Sequence, residues 1–394
     1  MAPRSRAVPA LALAALLAVT AGCAATAQET PADCVVRPAA EIVPEQGALF
    51  GVNLDWGSQT IEEYSRELGQ RPAVAVAFAD VPFTDAERDE VRSAAAQLRV
   101  SGGTLLLTLE SIDGLAAVTD DVAADIAELA ASVNATGVPV IIRFAHEMNG
   151  SWYAWGQQPA AYVETFRRVA AAVHAGAPGA AMMWAPNNAD GYPFEGGVAA
   201  AEPRTADFAL LDTTGDGVLS LDDDPYAPYY PGDDAVDWVG MSLYHWGSAH
   251  PWGENEMPEE GKFAAQLTGT YDGAAGDETA APDFYQTYGV EHGKPVAVPE
   301  TAALVVPRGD PEGELAIKRA WWQQVLSAET AARFPELKMI NWFEWEKFEP
   351  EVQDEVSWAV VEDQETRRAF RADLPDGLVY SDLSSRCTGA PVAG

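Results

Sequence analysis

The stretch "IIRFAHEMNGSWYAWG", residues 141–156, begins as a buried apolar strand, passes through His146-Glu147 and ends among aromatics. A near-continuous apolar run is what a parallel strand covered on both faces looks like, and the polar residues after it mark the end that meets solvent. Seven more runs share this character, at 49–54, 73–78, 104–109, 181–185, 237–243, 295–298 and 337–343, with 138–144 as the fourth in chain order. Between them lie amphipathic patterns such as "TIEEYSRELGQ", "TDAERDEVRSAAAQL", "DDVAADIAELAASV", "PAAYVETFRRVAAAV" and "GELAIKRAWWQQVLSA". Their apolar residues recur at helical spacing, and Thr84, Asp85 and Glu87 suit a helix N-terminus. Eight strands alternating with helices predict an α/β fold, a single-domain (β/α)8 TIM barrel. An open doubly wound sheet would carry a Gly-rich phosphate turn after its first strand, and "NLDWGSQT" is not one.

The chain has 394 residues, 48% of them hydrophobic, enough for a large core. Its formal charge of -36 disfavours nucleic acid and anionic membranes as partners. Residues 1–22 read as a signal peptide of lipoprotein type. Arg4 and Arg6 precede an uncharged apolar stretch that ends in Thr20-Ala21-Gly22-Cys23. The small-small-Cys ending resembles a bacterial lipobox, with Cys23 as the lipidated residue; plain secretion is the alternative. Residues 23–45 then form a tether, and 46–394 the catalytic domain. The expected setting is secreted and anchored to the cell membrane through Cys23 alone, as a monomer. In an oxidising compartment the remaining cysteines, Cys34 and Cys387, are expected to pair and tie the chain ends together.

The segment "DTTGDGVLSLDD", residues 212–223, has the spacing of an EF-hand calcium loop. Asp212, Thr214, Asp216, Val218 (through its carbonyl), Ser220 and Asp223 would be the ligands, with Gly217 at the turn. A solvated acidic turn is the alternative reading. A calcium ion here would be structural, and the catalysis expected below needs no cofactor.

In a barrel the residues just past the C-terminal strand ends face the active site. Those positions supply Asn53, Asp55, Trp56, Glu110, His146, Glu147, Asn149, Asn187, Tyr244, His245, Trp246, Glu300, Trp342, Glu344 and Trp345. The set holds carboxylates, amides and aromatics, with no Arg or Lys. A neutral sugar suits it: aromatic faces for C–H groups, polar side chains for hydroxyls. Glycoside hydrolysis needs two carboxyl groups across one bond. Strands four and seven lie roughly across the mouth from each other, which makes Glu147 and Glu300 the natural pair, with Glu344 the rival of Glu300. Trp152 and Trp155 read either as sugar contacts or as packing, and Glu110 either as a substrate contact or as ordinary rim polarity. A zinc site is excluded, because Gly150 stands where a second His would be needed.

"RFAHEMNGSWYAWG" resembles the strand-four signature of glycoside hydrolase family 26, which includes many β-mannanases. "KPVAVPET", "YYPGDDAVDWVGMSLYHWG" and "MINWFEWEK" resemble its strands seven, six and eight. The resemblance implies Glu147 as acid/base, with His146 beside it orienting substrate or tuning that carboxyl. It implies Glu300 as the nucleophile of a retaining mechanism, with Tyr244 hydrogen-bonded to it. Trp152 and Trp342 would be sugar platforms. Independently of the resemblance, their places near the strand ends make Asn149, Trp155 and Glu110 further candidate substrate contacts. The chain departs from the family pattern at Thr301-Ala302-Ala303 after Glu300, and at Glu110, where some mannanases carry a His nearby. The expected activity is retaining hydrolysis of a neutral β-linked polysaccharide, first of all β-1,4-mannan. Mixed-linkage β-glucan, β-1,3-xylan and non-catalytic capture of carbohydrate at the cell surface are the alternatives.

Overall fold

The computed structural model describes residues 42–381, apart from 249, 274, 275 and 278–280, together with Val36 and Pro38. The signal segment, Cys23, Cys34 and Cys387 lie outside the described residues, as does nearly all of the tether.

Eight parallel strands close on themselves: β1 (Ala48–Leu54), β2 (Val74–Asp80), β3 (Thr104–Glu110), β4 (Val140–Phe144), β5 (Ala180–Trp184), β6 (Trp238–Gly240), β7 (Val296–Thr301) and β8 (Leu337–Glu344). Each pairs in parallel with the next, and β8 returns to β1 through rungs such as Gly51↔Asn341 and Asn53↔Phe343. The (β/α)8 expectation holds, and all eight predicted strands are present. β6 is shorter than its apolar run, and Asn187↔Ser242 and His245↔Ala303 continue its line as single bridges.

Alternation sorts the core into two compartments. Leu49, Val76, Leu106, Ile141, Met183, Ala297 and Met339 fill the barrel interior. The other parity packs outward beneath the helices, with Phe50, Val52, Leu107, Ile142 and Val298 in one large cluster. Ile42 and Val43, read above as tether, pack against the interior compartment together with Val379.

Local chemistry sets the helix ends. Helices α1 (Ile61–Leu68) and α2 (Asp85–Ser101) open on Thr60 and Thr84 in complete capping boxes, and each stops at a left-handed glycine, Gly69 and Gly102. α3 (Asp120–Asn134) and α4 (Pro159–Gly176) pack on each other and over β4 and β5. The short α5 (Ala206–Leu211) and α6 (Lys262–Leu267) lie in the long connections on either side of β6. Two longer elements matter for the site: α7 (Pro311–Val325), which buries Trp321 and Trp322, and α9 (Gln364–Asp373), which buries Phe370. A six-residue helix, α8 (Ala328–Arg333), lies between α7 and β8.

Gly51 on β1 faces inward against β8. A Cβ there would stand 2.0 Å from Asn341 Oδ1 and 2.9 Å from Val74 Cβ. Gly51→Ala should therefore destabilise the barrel by about 1–3 kcal/mol through overpacking, read as a lower urea midpoint with an unchanged slope.

Candidate active site

β4 delivers the acidic centre. Its inward parity carries Ile141 and then Arg143, whose side chain is wholly buried. Arg143 Nη1 pairs with Glu300 from β7, and Nη2 donates to Ser242 Oγ at 2.6 Å. Tyr244 OH donates to the other Glu300 oxygen at 2.8 Å. Burial pushes the Tyr244 phenol well above its usual range, so it stays protonated and able to donate. Guanidinium and phenol together stabilise negative charge on Glu300.

Beyond β4 the backbone turns sharply. Ala145 and Glu147 hold φ of 45° and 53°, the left-handed region that non-glycine residues rarely occupy. Such positions cost about 1–3 kcal/mol each and persist only when their surroundings fix them. Here Ala145 N donates to Leu109 O at 2.8 Å, Glu147 N to Ala185 O at 2.9 Å, and Trp155 Nε1 to His146 O at 2.7 Å. Gly150 allows the loop to fold back, since a Cβ there would meet the Trp152 ring at 2.4 Å.

The Glu147 carboxyl is buried, and Trp152 Nε1 donates to it at 3.1 Å. Its pKa is raised to about 7, first by desolvation and then by the charge of Glu300; Arg143 and hydrogen bonds from Ser242 and Trp152 pull the other way. His146 lies against Tyr153, Trp155 and Phe78, and burial with Arg143 nearby holds its pKa well below the usual value, so the ring is neutral. Glu110 ends β3 directly opposite Asp80 of β2. Its pKa too is raised to about 7, by burial first, then by Asp80 and Glu300.

Two aromatic walls flank this centre. One holds Trp152, 36% exposed, with its ring edge-on to Phe194 at 5.0 Å and to Tyr153 at 6.2 Å. The other is built around Tyr244, with Trp246, Trp358, and Phe343 stacked on Trp345 at 5.7 Å. Trp246 and Trp345 are partly exposed.

Several expected residues sit elsewhere. Trp342 has the outward parity of β8 and is wholly buried between Trp322 of α7 and Phe370 of α9, its Nε1 bonded to Trp358 O at 3.1 Å. It is not a sugar platform. Trp155 is buried too, stacked on Tyr153 at 4.4 Å, and props the turn from behind. Asn149 spends its amide on Asn187, donating to its carbonyl and accepting from its N–H at 2.8 Å each, and so ties the β4 loop to the β5 loop. Glu344 points outward. It accepts from Val360 N at 2.9 Å and Val361 N at 2.7 Å, with Lys318 of α7 among its neighbours, which removes it as a rival to Glu300. Arg143 and Ser242 are the residues sequence reasoning missed, although an arginine inside an apolar strand was itself a signal.

The acidic loop is hydrogen-bonded within itself. Asp212 accepts from Asp216 N and Gly217 N, Asp216 from Val218 N, and Asp223 from Thr214 N and Ser220 N. Among the described residues no three His, Cys, Asp or Glu side chains are grouped to hold a metal. Asp212, Thr214, Asp216, Val218, Ser220 and Asp223 lie on this hydrogen-bonded turn, and structural calcium at the loop stays a proposal.

A barrel mouth with two unlike carboxyl environments between aromatic walls is an arrangement that can serve the hydrolysis of a glycosidic bond. The particular resemblance holds as well: the profile of glycosyl hydrolase family 26 matches residues 105–190, the segment from β3 to the β5 loop that carries Glu147. Among solved structures the fold is similar to a modular endo-β-1,4-mannanase from Cellulomonas fimi, at 16% identity and TM-score 0.55 over 92% of this chain and 80% of that one. It is also similar to the catalytic domain of an endo-β-1,4-mannanase of the same family from Bacillus sp. JAMB-750, at 18% identity and TM-score 0.53 over 86% of this chain and 90% of that one. At these identities the likeness establishes the fold. No curated protein matches the chain.

Two measurements check these placements. Trp342→Phe should lower the melting temperature while leaving KM for any glycan substrate unchanged, because the ring it replaces is core. If the 212–223 loop holds calcium, EDTA should lower the melting temperature and added calcium should restore it; an unchanged melting temperature and no bound calcium would reject the ion.

Proposed function

We propose that the protein is a retaining glycoside hydrolase that cleaves a neutral β-linked polysaccharide, with β-1,4-mannan the favoured substrate. The observation that carries the reading is the division of labour between two buried carboxyls: Glu147, whose environment favours the proton, and Glu300, whose partners favour the charge. The mannan preference draws on the structural neighbours, which are described as endo-β-1,4-mannanases.

In this mechanism Glu147 gives its proton to the glycosidic oxygen as the bond to the anomeric carbon breaks. Glu300 attacks that carbon from the opposite face and forms a glycosyl ester. Glu147, now ionised, takes a proton from water. The water oxygen attacks the same carbon, breaks the ester and frees Glu300, so configuration is retained. Tyr244 and Arg143 hold the Glu300 carboxylate before attack and receive it again at the end. Neutral His146 backs the turn that carries Glu147. Trp152 and Trp345 are placed to stack on sugar rings on either side of the pair. Arg143 is committed to Glu300 and Ser242, so it offers no grip to an anionic sugar and the reading stays with neutral glycans. The same proposal places the enzyme outside the cell, as a monomer held by a lipid on Cys23.

Glu147→Gln and Glu300→Ala should each lower kcat on β-mannan by about 10²–10⁴-fold or more, whereas Glu344→Gln should lower stability and spare turnover. Full activity in Glu300→Ala would reject the nucleophile assignment. Since Glu147 must be protonated to act first, activity should fall as pH rises through about 7. Trp152→Phe removes a bond to the ionised form and should shift that limb upward, as a pH profile of kcat/KM will show.

A further inference from the structure

Strict alternation would keep Glu300 out of the mouth. Along β7, Ala297 points into the barrel interior, whereas Val296 and Val298 point out beneath the helices. Continued with period two, that pattern sends residue 299 inward and residue 300 outward. Instead Glu300 meets Arg143 and Tyr244 in the mouth, and Thr301 faces out, accepting from Trp321 Nε1 of α7 at 2.9 Å. The pairing with β8 records the cause. Ile340 lies opposite Val298 and Trp342 opposite Thr301, so three steps on β7 match two on β8. An extra residue in one strand is a bulge, which re-aims the side chains beside it.

Pro299 occupies this bulge. It has no N–H to give to the ladder. Its carbonyl turns inward and accepts from Asn53 Nδ2 of β1 at 2.9 Å and from Asn341 Nδ2 of β8 at 3.3 Å. Both asparagines are wholly buried, where an amide is costly unless its donors are used. One acceptor thus receives two buried donors from two other strands, next to the residue that breaks alternation.

We propose that Asn53 and Asn341 clamp the Pro299 carbonyl as a positioning device, which holds the β7 bulge and so keeps the Glu300 carboxylate aimed at the reacting carbon. The inference rests on the reading of Glu300 as nucleophile and extends it to residues that never touch substrate. Without the clamp, β7 can relax toward regular pairing and carry the carboxylate away from Arg143 and Tyr244. A displacement near 1 Å is enough to cost about a hundredfold in rate.

The test uses Asn53→Ala, Asn341→Ala, the double variant and Pro299→Ala, which restores an N–H and opens no comparable cavity. Steady-state hydrolysis of β-mannan is measured beside the rate at which a 2-deoxy-2-fluoro glycoside with an activated leaving group labels Glu300. Each single variant should lose about a hundredfold in kcat and in labelling rate, with KM within about twofold of wild type. The double variant should be little worse than the poorer single, because both donors serve one acceptor. Asn341→Gln, which keeps a donor, should recover part of the loss. Lower melting temperatures with unchanged kcat and unchanged labelling in the folded fraction would overturn the proposal and leave the asparagines as ordinary core. Full activity in Glu300→Ala would instead reject the nucleophile reading itself. An inactive Glu300→Ala beside unimpaired clamp variants would reject the clamp alone.

Discussion

Arg143 is the charge on which the mouth depends. Glu110, Glu147 and Glu300 lie together where water is scarce, and Arg143 is the cation whose field reaches both Glu110 and Glu147. Charges near 4 Å apart interact by about 4 kcal/mol at the effective dielectric typical of proteins, so their placement decides which groups can ionise. The guanidinium goes to Glu300, and Glu147 and Glu110 are left to hold protons near neutrality. Arg143 also joins distant parts of the barrel, since it stands on β4 and reaches Ser242 beyond β6 and Glu300 on β7. A single buried side chain therefore braces the rim and divides its protons.

The turn after β4 answers that electrostatic arrangement with geometry. Left-handed Ala145 and Glu147 bring the acid inward, while His146 and Trp155 are packed behind it. The strain is held by backbone bonds to β3 and β5 and by the indole of Trp155. Glu147 and Glu300 thus meet from β4 and β7 on two irregular pieces of backbone, a strained turn and a bulge. Regular strands would have put neither carboxyl where it is.

How much of this was legible followed from how local the signal was. Apolar runs marked all eight strands and Thr84 marked the start of α2, because burial on both faces and orphan N–H groups leave direct marks on composition. Strand-end carboxylates pointed to Glu147 and Glu300. Parity was the weak point. Trp342 and Phe343 differ by one position, and only pairing with β1 reveals that the phenylalanine faces the mouth and the tryptophan the helices. Arg143 was readable in principle, since a charge within an apolar strand must find a partner, but the partner lies 157 residues away. The left-handed φ of Glu147 had no sequence mark, since neither glycine nor asparagine stands there. The 212–223 loop is legible as a tight acidic turn from its spacing, and its carboxylates accept from the loop's own backbone N–H groups.

One feature at the far end of the barrel bears on how the chain reaches this state. β1 meets β8 along one edge, and on its other edge, below β2, the short strand Leu378–Val379 pairs with Ala48–Leu49. Ser381 adds bonds to Arg71 O and Ser101 O. The first strand of the ring is therefore completed by segments far along the chain. During synthesis β1 presents an unpaired edge until β8 emerges, and its base stays open until Leu378–Val379 follows. Loop closure over so long a separation makes ring closure a late event. A chain cut before β8 would be an open sheet with an unpaired edge, and Glu147 and Glu300, drawn from β4 and β7, would come together only as the ring shuts.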